Sequence, residues 1–260
     1  MFPKFLTIII YLLNFRAKDA VRIFMEKKQS KVIGLIGGMS WKSTIPYYKI
    51  INETINKELG GFHSAKIIIY SVDFAEIEKY QADGNWTAAG NELGWAAHLL
   101  QEDGADFIVL CTNTMHKVVP SMQAGYLNIP VLHIAEVTAN EICYRRIKKV
   151  GLLGTKYTMT QNFYKEKLAE SGIECIIPDD ENIEIINDVI YNELCKGIIS
   201  PAAKQKFLHI IEKLHAAGAE GIVLGCTEIG LLIKQKDIQL PVFDTTTLHA
   251  ERAAMFALGM

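Results

Sequence analysis

Two segments of this chain, residues 104–114 and 218–228, repeat one pattern and constrain its fold more than any other feature. Each runs from a glycine through an apolar stretch into polar residues, and superposing them places Thr112 on Cys226. Short apolar stretches bounded in this way are typical of buried strands in parallel sheets. The second segment therefore predicts a central strand that delivers a thiol at its carboxyl end, where open α/β sheets bind ligands.

The other elements are duplicated in the same order. Further strands are predicted at 32–36, 67–70 and 129–132 in the first half, and at 149–154, 174–177 and 240–243 in the second. Helices are predicted from about residue 43, with Ser43 or Thr44 as the cap and Pro46 in the first turn, and at 86–101, 135–147, 158–170, 180–196, 201–217 and 245–258.

This alternation predicts the fold class. A repeat of about 115 residues is too long for a solenoid, and strands that alternate with helices form largely parallel sheets. The chain is therefore predicted to be an α/β protein with two similar pseudo-symmetric lobes. Each lobe is a mostly parallel sheet flanked by helices, and the active site lies in the cleft between them. The predicted division is an N-terminal extension at 1–30, a first lobe at 31–136 plus 245–260, and a second lobe at 137–244.

The N-terminal extension contains an apolar run, residues 5–15, which is shorter than the ~20 residues of a membrane-spanning helix. It resembles the apolar region of a signal peptide, but a poor cleavage sequence follows it. Two interpretations of residues 1–24 stay open, namely upstream sequence or a loose arm, and a membrane-tethering extension. No membrane association is expected for the core domain.

Composition narrows the class of protein. The chain has 27 Lys and Arg against 29 Asp and Glu, a net charge of −2, so it lacks the basic excess that binds nucleic acid. Its five cysteines are odd in number and include no Cys-x-x-Cys pair, which favours free thiols in a reducing, cytoplasmic compartment. Its seven histidines show no metal-ligand spacing, so no metal site is predicted.

The repeat also predicts a chemistry. Pseudo-twofold symmetry would place Thr112 and Cys226 on opposite walls of the cleft, and two opposed acid/base groups suit removal of a proton from one face of a carbon and its return to the other. Cys226 lies at a strand-to-helix turn, whose backbone N–H groups would favour the thiolate. The Thr112 hydroxyl is a weak base and would position a water or donate a hydrogen bond.

The other candidate residues have competing interpretations. Cys111 is predicted to face the core because strand side chains alternate, and Cys143, Cys175 and Cys195 are interpreted as buried, inert thiols. Gly37 and Gly38 are predicted to hold an anion with their backbone N–H groups. For His116, a helix surface and a hydrogen bond near the cleft stay open. For Lys196, a favourable helix-end charge and an anchor for a substrate carboxylate stay open.

Three motifs carry a family resemblance. They are Gly37-Gly38-Met39-Ser40-Trp41, Thr112-Asn113-Thr114-Met115-His116-Lys117 and Gly225-Cys226-Thr227-Glu228. Over roughly residues 31 to 258 the chain resembles the cofactor-independent aspartate/glutamate racemases. That resemblance implies two α/β lobes, a cleft active site, no cofactor such as pyridoxal phosphate, and a homodimer. It implies Cys226 and Thr112 as catalytic residues, substrate contacts at Met39, Gln81, Asn113, Thr114, Met115, Lys196 and Thr227, and supporting roles for Glu228 and His116.

The resemblance also sharpens the predicted activity. The family's usual first motif begins with a catalytic cysteine where this chain has Thr112, so the chain resembles a subgroup regarded as L-aspartate/glutamate-specific racemases. The helix after Asp73 offers Lys79 but no arginine to anchor the substrate side-chain carboxylate. The predicted function is inversion of the α-carbon of L-aspartate or L-glutamate. The alternatives are a catalytically weakened protein that binds acidic amino acids, and a related Cys-dependent isomerase or decarboxylase on the same scaffold.

Overall fold

The structure, a computed structural model, describes residues 30–125 and 127–260. Both interpretations of residues 1–24 fall outside these described residues. Within them, the chain builds two four-stranded parallel sheets flanked by helices. The predicted α/β fold with two similar lobes is confirmed.

The first half of the chain forms the first sheet. Its strands are β1 (Ile33–Gly37), β2 (Ile67–Ser71), β3 (Phe107–Leu110) and β4 (Val131–Leu132), in the spatial order β2-β1-β3-β4. The helices of this half are α1 (Trp41–Leu59), α2 (Phe74–Ala82), α3 (Trp86–Glu102), α4 (Val119–Gly125) and α5 (Ile134–Tyr144), with a 3-10 turn at Thr114–Val118.

The second half repeats this arrangement. Its strands are β5 (Lys149–Gly154), β6 (Glu174–Ile176), β7 (Gly221–Gly225) and β8 (Val242–Asp244), in the order β6-β5-β7-β8. Its helices are α6 (Lys156–Thr160), α7 (Asn162–Glu170), α8 (Asp180–Asn192), α9 (Pro201–Ala216), α10 (Ile229–Leu232) and α11 (Thr245–Ala257), with 3-10 turns at Leu194–Lys196 and Gln235–Asp237.

Strand register matches the internal repeat. Leu110 on β3 lies beside Ile36, and Leu224 on β7 lies beside Leu153, at corresponding places in the two sheets. The repeat superposes Leu110 on Leu224. The segments that follow β3 and β7 therefore leave equivalent edges of equivalent sheets.

The central strands are buried on both faces, which explains their uninterrupted apolar sequence. In β3, Phe107 and Val109 pack on one side of the sheet, while Ile108 and Leu110 pack on the other. Cys111 continues the alternation into the core and is fully buried, as predicted.

Two helices connect the halves by packing away from the strands they follow. Helix α5 follows β4 of the first sheet, but Ile134 and Ile142 pack against core residues of the second. Helix α11 follows β8 of the second sheet, but Ala250 and Ala254 pack in the core of the first, where α11 lies against α1. The predicted lobe boundaries at 136/137 and 244/245 stay a prediction.

Helix α1 begins earlier than predicted. It starts at Trp41 with Ser40 at the cap position, so Ser43 and Thr44 lie inside the helix and the prediction of either as the cap is wrong. Their hydroxyls serve the turn before the helix, because Ser43 Oγ donates to the Ser40 carbonyl at 2.7 Å and Thr44 Oγ1 accepts from Gly38 N at 2.9 Å. Pro46 is consequently the sixth residue of α1, beyond its first turn.

Two predicted helices are shorter than expected. The helix predicted at 158–170 is divided into α6 and α7 at Gln161, whose backbone is extended. The helix predicted at 180–196 ends at Asn192, and the 3-10 turn that follows it redirects Cys195. No helix among residues 30–125 and 127–260 is long and apolar enough to cross a membrane.

Candidate active site

A small cavity lies where the carboxyl ends of the central strands of the two sheets approach each other. It holds about 370 Å³ of empty space, open solvent at its mouth included. The lining residues are Met39, Phe74, Gln81, Thr112, Asn113, Thr114, Thr155, Ile190, Tyr191, Cys195, Gly225, Cys226, Thr227 and Glu228. Both halves of the chain contribute, as the duplicated fold requires.

Thr112 and Cys226 both line this cavity. Thr112 lies just beyond β3, Cys226 lies just beyond β7, and each side chain is 8% exposed. Among the described residues, none makes a hydrogen bond with the Thr112 hydroxyl. That hydroxyl is therefore free to bind a substrate or a water.

Glu228 gathers donors from both halves of the chain. Its Oε2 accepts hydrogen bonds from Cys226 Sγ at 3.2 Å and Thr227 Oγ1 at 2.6 Å, and its Oε1 accepts from Ser40 Oγ at 2.8 Å. Cys195 Sγ adds a longer contact to Oε1 at 3.9 Å. These donors keep a nearly fully buried carboxylate paired, which a charge in a low-dielectric site requires.

The Cys226 thiol is protonated in the free protein. Burial raises its pKa well above the usual range, and the negative charge of Glu228 adds to that shift. A backbone hydrogen bond from Glu228 opposes the shift, as predicted for a strand-to-helix turn, but its effect on the pKa is smaller. The backbone N–H therefore favours the thiolate in the predicted direction, but desolvation outweighs it.

Side-chain hydrogen bonds close the cleft around the cavity. Besides the bond between Ser40 and Glu228, Thr114 Oγ1 lies 2.9 Å from Thr155 Oγ1, and Asn113 Nδ2 donates to Thr245 Oγ1 at 3.0 Å. Asn113 Oδ1 is buried and accepts no hydrogen bond from the described residues. It is therefore available to a donor group of a ligand.

Gln81 connects α2 to α8. Its Nε2 donates to Met115 Sδ at 2.9 Å, and its Oε1 accepts from Tyr191 Oη at 3.1 Å. Tyr157 Oη also donates to the Gln81 carbonyl at 3.2 Å. The polar atoms of the Gln81 amide are thus paired within the protein, which fixes this part of the cavity wall.

The sequence-predicted residues divide into two groups. The cavity lining includes Thr112, Cys226, Met39, Gln81, Asn113, Thr114, Thr227 and Glu228. Met115, His116 and Lys196 are outside it. Met115 is fully buried in the core beside Gln81, whereas Lys196 is exposed and donates to Asn192 Oδ1 at 3.0 Å. Contact between substrate and Met115 or Lys196 stays a prediction.

Three cysteines differ from their interpretation as buried, inert thiols. Cys195 lines the cavity and is partly exposed, because the 3-10 turn after α8 directs it there. Cys143 is exposed, and Cys175 is partly exposed. Sequence reasoning also missed the contributions of Phe74, Thr155 and Tyr191 to the lining. Only the position of Thr155, just after β5 at the cleft edge, gave a usable sequence signal.

In the glycine-rich turn after β1, the backbone N–H of Gly38 is not available to an anion because it donates to Thr44 Oγ1. Gly38 has a φ of 97°, and a Cβ there would collide with the Val72 backbone. Its glycine is thus explained by close packing, and the predicted anion site is wrong for this residue.

Within the described part of the chain, no group of three or more His, Cys, Asp or Glu side chains could hold a metal ion.

His116 belongs to a buried group of three histidines beneath the Thr112 segment. Its ring lies 4.7 Å from that of His133 and 5.6 Å from that of His249, and its Nδ1 is 2.9 Å from the Thr112 carbonyl oxygen. The helix-surface interpretation is therefore wrong, and the histidine supports the backbone of Thr112. Burial lowers the pKa of all three, to about 4 for His133 and about 3 for His249.

These pKa shifts make stability depend on pH. Between pH 6.5 and about 4 these histidines are protonated in the unfolded chain but neutral in the folded chain. The free energy of unfolding therefore falls as pH falls. The expected slope is up to about 1.4 kcal/mol per pH unit for each histidine. Urea unfolding at pH 7, 6 and 5 measures it. His249→Gln is expected to flatten the slope and exposed His63→Gln to preserve it; equal slopes in both variants would contradict the assignment.

Comparison with known proteins agrees with this geometry. Residues 36–253 match the family model described as Asp/Glu/Hydantoin racemase. A crystal structure of a candidate Asp/Glu racemase from Yersinia pestis is 54% identical, covers 88% of this chain and 99% of its own, and superposes with a TM-score of 0.82. The crystal structure of an aspartate racemase homologue from Pyrococcus horikoshii is 38% identical, covers 87% of this chain and 99% of its own, and superposes with a TM-score of 0.76.

A curated relative extends the comparison to a named activity. The broad specificity amino-acid racemase RacX of Bacillus subtilis is 27% identical over 236 residues, which cover 85% of this chain and 95% of RacX. The family model spans most of the chain and includes the segments that follow β1, β3 and β7, where the cavity is built. On these grounds, the chain belongs to the Asp/Glu/Hydantoin racemase family.

Proposed function

We propose that this protein is a cofactor-independent amino-acid racemase that inverts the α-carbon of L-aspartate or L-glutamate with Cys226 and Thr112. One observation carries the proposal. Two hydrogen-bonding side chains occupy equivalent positions beyond β3 and β7, and both line one buried cavity. Family membership supports the reaction class, and the names of the aspartate racemase homologue and RacX support an amino acid as substrate.

The first proton transfer involves Cys226 and Glu228. The Cys226 thiol must lose its proton before it can act as a base, and Glu228 Oε2, at 3.2 Å, is the acceptor. The resulting thiolate takes the α-proton of the L enantiomer and becomes a thiol again. The ammonium group of the substrate assists this step, because a nearby positive charge favours the thiolate.

The second proton transfer occurs on the opposite face of the α-carbon. The Thr112 hydroxyl holds a water that donates a proton to the carbanion, and the proton on Glu228 neutralises the hydroxide that remains. Asn113 Oδ1, which lacks a partner among the described residues, accepts a hydrogen bond from the substrate ammonium. Exclusion of bulk water from the small cavity strengthens each of these electrostatic contacts.

Isotope exchange tests the proposal directly. Each enantiomer of aspartate and glutamate is incubated with the protein in D₂O, and deuterium at the α-carbon is measured by mass spectrometry. Incorporation together with loss of optical activity is expected for at least one of these amino acids. If none of the four compounds gains deuterium, the proposed reaction is wrong. Binding without exchange would instead identify an amino-acid-binding protein, and turnover of maleate or an arylmalonate would identify the related isomerase or decarboxylase.

We also infer that the protein is a cytoplasmic homodimer. Its ligand is a small acidic amino acid, and it does not bind nucleic acid. The free cysteines support a reducing compartment. Sedimentation equilibrium across a range of protein concentrations tests the dimer, and a single species of monomer mass would contradict it.

Thr112→Cys is expected to introduce a base on the face that now carries a hydroxyl. The initial rate of α-deuterium exchange should rise more for the D enantiomer than for the L enantiomer, by roughly 100-fold where general base catalysis was missing. The kcat/KM of net racemisation cannot show this difference. Because the two enantiomers have equal free energies, kcat/KM for L-to-D and for D-to-L conversion must change by the same factor. Unchanged exchange of both enantiomers would mean that Thr112 does not face the substrate.

A further inference from the structure

The cavity lacks a positive charge. Among the described residues that line it, Glu228 is the one charged side chain, and it is negative. A dicarboxylic amino acid brings two carboxylates into this site, and a carboxylate removed from water needs a cation or several hydrogen-bond donors. A positive group at the edge of the cavity would meet this need for an acidic substrate.

Lys42 lies at the cleft between the two halves of the chain. It is the second residue of α1 and lies two positions after Ser40, whose hydroxyl reaches across the cleft to Glu228. Its Nζ contacts Gly197 of the opposite half, so closely that a Cβ at residue 197 would collide with it. Gly197 has a φ of 81°, and the absence of a side chain there leaves the space that the ammonium occupies.

The charge of Lys42 acts on the cavity. It lowers the pKa of the Cys195 thiol, although burial dominates and raises that pKa to about 12 overall. Lys42 is half-buried, and the described residues provide it with neither an ion pair nor a hydrogen bond; its ammonium lies 5.7 Å from the Trp41 ring centroid. The Lys196 ammonium, in contrast, is exposed and bonded to Asn192.

We propose that Lys42 binds the side-chain carboxylate of the amino acid in the cleft and so determines the preference for acidic over neutral substrates. This inference rests on the proposed racemase function. It assigns the specificity to a residue of α1 that reaches across the cleft.

Kinetics of Lys42→Gln test the assignment. Its kcat/KM for L-aspartate is expected to fall on the order of 10- to 100-fold, mostly through KM, because a charge-assisted contact is lost. L-asparagine, measured as a substrate or as a competitive inhibitor, should be affected less than threefold. Lys42→Arg should restore most of the affinity for aspartate. The matched control is Lys49→Gln on the same helix, whose ammonium pairs with Glu53 away from the cavity, and it should change neither value.

A second pair of variants acts on Lys42 without changing it. Gly197→Ala is expected to displace the ammonium and to raise KM for aspartate in the same direction. Gly84→Ala carries the same left-handed backbone cost at a φ of 66°, with no atom within 4 Å of the new methyl group, and should leave KM unchanged. An effect of equal size in both glycine variants would attribute the loss to backbone strain and overturn the role of Lys42.

The remaining outcomes also decide the proposal. Equal losses for aspartate and asparagine in Lys42→Gln, or a selective loss in Lys196→Gln with none in Lys42→Gln, would overturn it. If the wild-type protein exchanges no α-hydrogen, the racemase function fails, and calorimetric titration with L-aspartate then judges Lys42 separately. Selectively weaker aspartate binding by Lys42→Gln would support the proposal, and equal binding or no binding by either protein would overturn it.

Discussion

Cys226→Ala is expected to abolish α-proton exchange, with a loss of about 1,000-fold or more, because it removes the group that we propose takes the proton from the L enantiomer. Cys226→Ser should lose nearly as much activity. Glu228 is too weak a base to deprotonate an aliphatic hydroxyl, so the serine stays protonated. Deuterium incorporation into L-aspartate and L-glutamate, followed by mass spectrometry over long incubations, measures both variants.

The fold should survive these changes. Cys226 packs at the edge of the core of the second sheet, and truncation to alanine removes one sulfur atom, which should cost about 1 kcal/mol of unfolding free energy. Cys143→Ser is the matched control, because Cys143 is exposed and is not among the cavity residues. Wild-type exchange in Cys226→Ala would show that another group removes the α-proton, and the partly exposed Cys195 would become the first candidate.

Glu228→Gln is expected to change two measurements in opposite directions. Exchange should fall about 100-fold or more, because the Cys226 thiol loses the carboxylate proposed to accept its proton. Alkylation of Cys226 by iodoacetamide should become faster at a fixed pH. The negative charge of Glu228 is one of the causes that raise the pKa of this thiol, so its removal shifts the pKa down and increases the thiolate fraction.

Peptide mapping of the alkylated protein separates Cys226 from the other four cysteines. The glutamine side chain keeps one oxygen acceptor, but its NH₂ group replaces a carboxylate oxygen that accepted hydrogen bonds. A loss of about 1 to 3 kcal/mol in unfolding free energy is therefore also expected. Glu212→Gln, at an exposed carboxylate on α9, should alter none of the three measurements. Exchange and alkylation that decline together would mean that Glu228 stabilises the thiolate and does not accept the thiol proton.

Much of the fold could be predicted from local sequence. The glycine-bounded apolar stretches at 104–114 and 218–228 predict buried parallel strands, and their equivalence places Thr112 and Cys226 at corresponding sheet edges. The prediction that Cys111 faces the core needed only the alternation of strand side chains. The helix boundaries depend on more than the local pattern. The 3-10 turn after α8 interrupts a helical pattern without a proline or glycine before Gly197.

The state of the thiol could not be predicted in this way. The turn after β7 provides a backbone N–H that favours the thiolate, as predicted, yet burial and the carboxylate two residues later raise the pKa of Cys226. Desolvation depends on how closely the two halves of the chain approach each other, and a local pattern carries no information about that distance.

The sequence by itself determined two duplicated parallel sheets and the pair of residues at their equivalent edges, because strand burial and repeat symmetry are encoded within short segments. Only the tertiary structure decided that Ser40 and Cys195 share Glu228 with Cys226, that three histidines lie beneath Thr112, and that the Lys42 ammonium rests on Gly197. Apart from the contacts of Cys226 with Glu228 and of His116 with Thr112, these contacts join residues that are distant in the chain. Their burial and charge interactions exist only once the chain has packed into its tertiary structure.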